Sequence, residues 1–349
     1  MDKAFLAHDP GPGHVESPDR LHAIYQALEG AQREGKCENF LFPECPNASL
    51  ETLLLNHTKS HIQTIEDTAN REYTVLDPDT RANASSYNAA TKAAGAVVAA
   101  IDMVVEKKAT NAFALVRPPG HHAEKDKAMG FCLFNNIAIG AAYAVECLKM
   151  DRVLIIDWDL HHGNGTQHSF YDTEKVLYCS THQYPYYPGT GGADEVGAGS
   201  GKGYTVNVPL QGGQDDYAYT AVFRDIFMPI ALEYKPQFVL ISAGFDIYQG
   251  DPLGTMSVTA KGFANMTRII LDIAEKTSGG CVVFALEGGY SLKGLRDSVV
   301  AVLGEMSGTE LEKGKKLTSD DISDMNRPGL DIPGMQTIKK IQSNYWTSL

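Results

Sequence analysis

The sequence predicts an α/β protein of one domain: a mostly parallel central sheet with helices on both faces and its active site at the carboxyl ends of the strands. Three observations carry that expectation. Short, nearly continuous runs of Val, Ile, Leu and Phe alternate with longer helix-like stretches, the pattern of strands buried on both faces. Hydrophobic residues make up 43% of the 349 and charged residues only 21%, enough apolar matter for a large core and unlike a disordered or fibrous chain. Several apolar runs end in clusters of Asp, His, Glu, Gly and Tyr, and a parallel sheet would deliver all of them to one rim.

The elements follow in order. Residues 3–9 read as a short strand, 10–14 as a Pro-Gly turn, and Ser17 with Pro18 as the cap and first position of a helix. Residues 50–55 are a Leu-rich helical stretch. His57 and His61 lie one helical turn apart, and with no third ligand nearby they read as part of an ordinary surface helix. A long helix dense in Ala, Val and Ile covers 89–108 and ends in lysines that suit a helix C-terminus. Strands are expected at 112–116, 153–157, 176–180, 204–209, 238–242 and 281–286, with helices at 136–149, 217–234, 260–276 and 292–303. Length alone fits two average domains or one large one, and the unbroken alternation favours one domain over 1–349 with its core in 1–306. Residues 307–336, rich in Lys, Glu, Ser, Asp, Gly and Pro, read as a linker or surface excursion. Residues 337–349, with Ile338, Ile341 and Tyr345 at helical spacing beside Trp346, read as a terminal helix docking on the core.

Composition excludes some functions. A net charge of -13 argues against a nucleic-acid surface; it suits a cationic substrate or simple solubility. Six cysteines without Cys-x-x-Cys spacing suggest reduced thiols and a cytoplasmic protein. The N-terminus lacks the basic and apolar regions of a signal peptide. No membrane span is expected, because the most apolar helical run, 137–145, is far below the roughly 20 residues a bilayer needs.

The densest collection of reactive groups is Val-Leu-Ile-Ile-Asp-Trp-Asp-Leu-His-His-Gly-Asn-Gly at 153–165. If the chain stays extended past Ile156, the period of two puts Asp157, Asp159 and His161 on one side. A strand end that merely caps the next helix needs one acid, and this one carries two acids and two histidines. Asp159 and His161, joined by Asp246 from another strand end, make an oxygen-rich set of three ligands that leaves a position for water. Such a set suits zinc first, and also iron(II), cobalt(II) or manganese(II). His121 and His122 follow a Pro-Pro-Gly bend, where an imidazole beside the metal could take a proton from water and pass it to a leaving amine. Asp157 and Asn164 are natural orienting partners: an Asp raises imidazole basicity, and an Asn only fixes the tautomer. Tyr290, after two glycines, can offer its hydroxyl to a carbonyl under attack. His162 reads as a structural neighbour.

Five motifs, taken together, resemble the zinc-dependent histone deacetylases: Arg-Pro-Pro-Gly-His-His at 117–122 running on to Asn-Asn at 135–136, Asp-Trp-Asp-Leu-His-His-Gly-Asn-Gly at 157–165, Pro-Gly-Thr-Gly at 188–191, Ser-Ala-Gly-Phe-Asp at 242–246, and Glu-Gly-Gly-Tyr at 287–290. The resemblance covers roughly residues 1–306, with a familiar Tyr-Trp pair near the C-terminal end. Asn164, where the class I pattern has Asp, is similar to the class II branch and its bacterial histone deacetylase-like amidohydrolases. The resemblance implies an arginase/deacetylase-like fold with one zinc ion on Asp159, His161 and Asp246. It pairs His121 with Asp157 and His122 with Asn164, and makes Tyr290 the carbonyl-polarising residue. It places Phe131 and Tyr187 along a narrow acyl-lysine tunnel lined by Gly130, with Leu253 at the mouth. It further implies one or two structural potassium ions, the first near Asp157, Asp159, His161, Ser180 and Thr181, the second near Phe170, Thr173, Val176 and Tyr204. Tyr187 stands where a phenylalanine is usual, which makes the tunnel wall more polar.

The expected function is hydrolysis of acyl-lysine amides by metal-activated water, with an acylated lysine of a protein or peptide as partner. Small acetylated polyamines or other acyl amines are the alternative, against which Leu253 in place of a glutamate argues. An inactive acyl-lysine binding module is a further alternative, opposed by the intact ligand set and by Tyr290, which stands where the weakly active class IIa branch has histidine. A binuclear manganese ureohydrolase shares the implied fold but needs more bridging aspartates, and Asn164 stands where one would help.

Overall fold

The computed structural model describes residues 1–309, 311, 321 and 332–349. A two-stranded antiparallel ribbon, β1 (Thr74–Val75) and β2 (Arg81–Ala82), precedes a six-stranded sheet of β3 (Ala112–Ala114), β4 (Val153–Asp157), β5 (Val176–Gln183), β6 (Thr205–Leu210), β7 (Phe238–Ala243) and β8 (Val282–Leu286). The six strands run in the order β3-β8-β7-β4-β5-β6, and every pairing is parallel. Every residue of β4, β7 and β8 is buried, so helices cover both faces of the sheet centre, which is why these strands read as unbroken apolar runs rather than alternating ones. The α/β class and parallel sheet expected from sequence are therefore present.

The strand order locates the crevice. From β4 the chain moves outward to β5 and β6, then returns to β7 on the other side of β4 and continues outward to β8. Connections leaving neighbouring strands in opposite directions open a gap at their carboxyl ends, and here that gap lies between β4 and β7. The register sets Asp157 level with Ser180 of β5 and Ser242 of β7, so the segments that follow emerge side by side.

Several local expectations change. Residues 3–9 contain a helix, Ala4–Ala7, in place of a strand; its residues are good helix formers, and Asp2 Oδ1 accepts the Ala4 N–H at 2.8 Å. The helix expected over 217–234 is built in three parts, Asp216–Val222, a π-helical turn at Phe223–Phe227 and Met228–Tyr234. Pro229 lacks the N–H that an α-turn would use there, so the preceding turn widens. His57 and His61 are buried, not on a surface helix face. His57 Nε2 accepts the Asn135 N–H at 2.8 Å, and His61 Nε2 lies 2.8 Å from the Leu133 carbonyl, so the pair pins helix Lys59–Glu66 and the residues just before it to the chain around Phe134.

The long helix runs Ser86–Val105, and with 20 residues it is long and apolar enough to cross a membrane, contrary to expectation. It is 61% buried over its most apolar window and packs on helix Asn136–Glu146 and on β3, as a core helix does. Helix Leu292–Ser307 continues four residues past its expected end. Most of the excursion expected at 307–336 lies outside the described residues. Beyond it, helix Met335–Gln342 packs on β6, and Trp346 Nε1 donates to the Gly203 carbonyl at 3.0 Å.

Candidate active site and metal centre

Past Asp157 the chain leaves β4 but keeps its alternation. Trp158 and Leu160 turn into the core, Trp158 against the rings of Phe245, Phe263 and Phe284, while Asp159 and His161 turn toward Asp246 at the end of β7. His161 Nδ1 lies 3.1 Å from Asp159 Oδ1 and 3.2 Å from Asp246 Oδ2. One ligand atom from each residue falls within 4.8 Å of the others, the one such group of Asp, Glu, His or Cys among the described residues. Backbone N–H groups hold both acids: Asp159 Oδ2 accepts that of Gly288 and Oδ1 that of His161, and Asp246 Oδ1 accepts that of Leu160, all at 2.9 Å. Asp246 Oδ2 is buried without a hydrogen bond. A Cβ on Gly288 would sit 2.4 Å from that oxygen and 2.6 Å from Asp159 Oδ2, so this position must be glycine for the carboxylates to converge.

Two buried carboxylates that meet around one imidazole carry more negative charge than it offsets, and they call for further positive charge. Asp159, His161 and Asp246 thus fit a divalent cation, and their mix of two oxygens and one nitrogen fits zinc without excluding iron(II) or manganese(II). Protons fill part of that role otherwise. Burial opposes charge on His161, but Asp159 and Asp246 hold it up to about 9. Burial and the like charge of Asp159 push the Asp246 carboxyl up.

The two adjacent histidines receive opposite treatment. The loop carrying them is fixed by Glu287 at the end of β8, whose Oε2 accepts the N–H groups of Gly120 and His121. His121 Nδ1 lies 3.0 Å from Asp157 Oδ2, which also accepts the Tyr178 hydroxyl at 3.1 Å. Burial disfavours a charged His121, yet Asp159 and Asp157 outweigh it and hold the imidazole up to about 10. His122 Nδ1 lies 2.8 Å from Asn164 Oδ1. Burial, with His121 and His161 beside it, holds His122 well below the usual imidazole value. The two imidazoles thus differ in what backs them: His121 has a carboxylate at Nδ1 and His122 a neutral amide. Gly130 permits this: its φ is +56°, and a Cβ there would come within 2.3 Å of His122 Cδ2.

These groups stand at the foot of a cavity of about 250 Å³ lined by Phe131, Tyr186, Tyr187, Leu253 and Tyr290 among others. The Tyr187 ring meets His122 edge-on at 5.1 Å, and Phe131 meets Tyr290 edge-on at 5.8 Å. Thr80, at the foot of the small ribbon, accepts the Phe131 N–H at 3.0 Å and so fixes one wall. Burial raises the Tyr290 hydroxyl well above its usual range despite the nearby Arg20, so it stays a proton donor. Asp251, nearly fully buried, ties this foot to the mouth: Oδ2 accepts the N–H groups of Tyr290 and Ser291 at 2.7 and 2.8 Å, and Oδ1 accepts that of Leu253 at 3.0 Å. An Asp251→Asn change must aim an NH₂ at one of these N–H donors. It is expected to lower kcat about tenfold and raise KM, because Tyr290 and the Leu253 rim loosen together; steady-state kinetics on the folded variant checks both.

The residues expected to be catalytic or zinc-binding gather here, and so do the four tunnel residues. Of the first potassium group, Ser180 Oγ pairs with His182 Nδ1 at 2.9 Å and Thr181 Oγ1 is buried without a partner. In the second, the Phe170 carbonyl accepts the Thr173 N–H at 3.3 Å and the Tyr204 carbonyl accepts the Tyr178 N–H at 2.9 Å, while Val176 opens β5. Sequence reasoning missed Tyr186, which stacks on His161 at 5.7 Å, and Asp79 at the rim. It also missed a buried support behind Tyr290. There Arg20 donates to the carbonyls of Gly289 and Glu287 and to Glu16, and Arg117 binds the same Glu16 carboxylate with Nε and Nη2. The Tyr-Pro-Tyr-Tyr-Pro run at 184–188 was a signal for Tyr186; nothing local marks Glu16.

A family model described as a histone deacetylase domain matches residues 14–306. The chain is 36% identical over 350 residues to a probable deacetylase of Archaeoglobus fulgidus, covering 98% of this chain and 96% of that protein. It is 40% identical over 344 residues to histone deacetylase 15 of Arabidopsis thaliana, with 96% of this chain and 59% of that protein covered. To histone deacetylase 7 of Homo sapiens it is 38% identical over 387 residues, with 99% of this chain and 39% of that protein covered. It therefore spans less than two thirds of the plant protein and well under half of the human one. Among solved structures, that of the HDA15 HD domain matches with a TM-score of 0.87 at 37% identity, covering 100% of this chain and 94% of that one.

Proposed function

The chain belongs to the histone deacetylase family, and on that premise we propose that it is a zinc-dependent hydrolase of acyl-lysine amides. The observation that carries this reading is the pair of adjacent histidines, one backed at Nδ1 by Asp157 and the other by Asn164, beside a three-ligand cluster at the foot of an aromatic-walled cavity. Asp159, His161 and Asp246 would hold the ion, which when bound supplies Lewis acidity to the carbonyl and to the attacking water.

The chain's own groups do the rest. An acyl-lysine side chain enters between Phe131 and Tyr187 with its methylenes against the rings. The Tyr290 hydroxyl donates to the amide oxygen as negative charge grows there. His122, neutral and with Nδ1–H held by Asn164, keeps the Nε2 lone pair free to take a proton from water. His121, backed at Nδ1 by Asp157, supplies a proton to the departing amine. These atoms balance as hydrolysis: water adds to the carbonyl, the C–N bond breaks, and the products are a carboxylate and the lysine ammonium.

Potassium near Asp157, Asp159, His161, Ser180 and Thr181 belongs to the proposal, supported by the unpartnered Thr181 hydroxyl; the set at Phe170, Thr173, Val176 and Tyr204 rests on the family resemblance. A cytoplasmic location is supported by six unpaired cysteines. A small cationic acyl amine is the second reading, favoured by Asp79 on the cavity lining. Parallel rates on an acetyl-lysine peptide and on acetylspermidine separate the two. A higher kcat/KM on the peptide is expected, and a preference for acetylspermidine would transfer the assignment.

A further inference from the structure

His122 is held by an amide that is itself held from outside. Asn164 opens helix Asn164–Phe170. Its Oδ1 faces His122 Nδ1, and its Nδ2 donates to the His122 carbonyl at 3.2 Å and to Glu124 Oε1. Glu124 Oε1 also lies 2.9 Å from Nδ1 of His168, one turn further along the same helix. The chain of contacts runs outward from buried His122 and Asn164 to Glu124, whose side chain is 20% exposed, and to His168, 48% exposed.

The chemistry of this chain is directional. The partners of Asn164 Nδ2, namely the His122 carbonyl, Glu124 Oε1 and Met129 Sδ at 3.6 Å, are all acceptors, so the amide cannot flip, and Oδ1 is fixed toward the imidazole. An amide brings no charge to His122 as Asp157 does to His121. A carboxylate that accepts the amide N–H polarises it and makes Oδ1 a stronger acceptor. Burial opposes charge on Glu124, but bonds from His168 and Asn164 hold its carboxyl below the usual range. The Glu124 bond in turn holds His168 above the usual imidazole value against its partial burial. The other ionisable groups facing this pair are Glu195 toward His168 and His162 toward Glu124. Glu195 is already engaged by Gln167 and by the N–H groups of Gly191 and Gly192.

We propose that Glu124, braced by His168, is a positioning residue for His122: acting through Asn164, it orients the imidazole and returns part of the negative influence that a direct aspartate would provide. The inference rests on the proposed hydrolysis, in which His122 takes a proton. An exposed Glu–His ion pair serving only the surface would contribute little and leave turnover alone.

The test is a cycle of Glu124→Gln, Asn164→Asp and the double variant, assayed on zinc-loaded protein with an acetyl-lysine peptide. Glu124→Gln is expected to lower kcat about tenfold with KM unchanged. Asn164→Asp alone sets two carboxylates against each other and is also expected to lower kcat. In the double variant the Gln amide can donate to the new carboxylate, and kcat is expected to recover toward wild type. Losses that simply multiply, or a Glu124→Gln variant with wild-type kcat, would overturn the positioning role. A second readout needs no turnover: the His122 Nδ1–H resonance, assigned with Asn164→Ala, is expected to shift in Glu124→Gln. If wild type hydrolyses no acyl amide, the proposed reaction fails, and an unmoved resonance then separately removes Glu124.

Discussion

Replacing Tyr290 by phenylalanine is expected to lower turnover of an acetyl-lysine peptide by about 10²–10³ while fold and zinc content stay unchanged. The structure makes this a clean removal of one hydroxyl. The Tyr290 backbone is anchored by Asp251, its ring rests edge-on against Phe131, and the Arg20 guanidinium lies 5.0 Å from the ring centre. A phenylalanine keeps each of these contacts. What it loses is a donor that burial keeps protonated and that faces the same cavity as His121, His122 and His161. Steady-state kinetics with metal analysis on the same sample measures the effect; wild-type turnover in Tyr290→Phe would remove the residue from the mechanism.

Asp246→Asn is expected to abolish stoichiometric metal binding, and the reason lies in the second oxygen. Asp246 Oδ1 accepts the Leu160 N–H, so an asparagine oxygen takes that position and the NH₂ is left pointing at the centre beside His161. A donor there repels a cation. The metal-free protein, by contrast, loses a buried carboxylate whose charge is opposed by burial and by Asp159. Metal-free Asp246→Asn is therefore expected to melt no lower than metal-free wild type, and added zinc should raise the melting temperature of wild type only. Stoichiometric zinc in the variant would sink the ligand assignment.

How much of this was legible in the sequence follows from distance along the chain. Asp157, Asp159 and His161 sit on one extended segment, so the period of two revealed their common side, and Trp158 and Leu160 filled the core side as that period requires. Glycines 130 and 288 mark close approaches that no Cβ would allow. The parallel sheet was legible because its central strands are buried at every position. The buried support was not: Arg117 reaches Glu16 from 101 residues away and Arg20 reaches Gly289 from 269, and no local pattern encodes such pairings. His57 and His61 were misplaced for a similar reason, since helical spacing gives a common face without saying what covers it. The early helix at Ala4–Ala7 and the π-turn before Pro229 are single-turn effects below the reach of periodicity. Asn164 was legible as a partner of His122, while Glu124 behind it came from tertiary contact alone.

We propose hydrolysis of an acyl-lysine amide by this chain with a metal held by Asp159, His161 and Asp246. The most direct measurement is the rate on an acetyl-lysine peptide before chelation, after it, and after one equivalent of zinc is returned, with a hydroxamate control. Hydrolysis is expected to disappear on chelation, return with zinc and be blocked by the hydroxamate. An undiminished rate in chelated protein, or no hydrolysis by zinc-loaded protein, would contradict it.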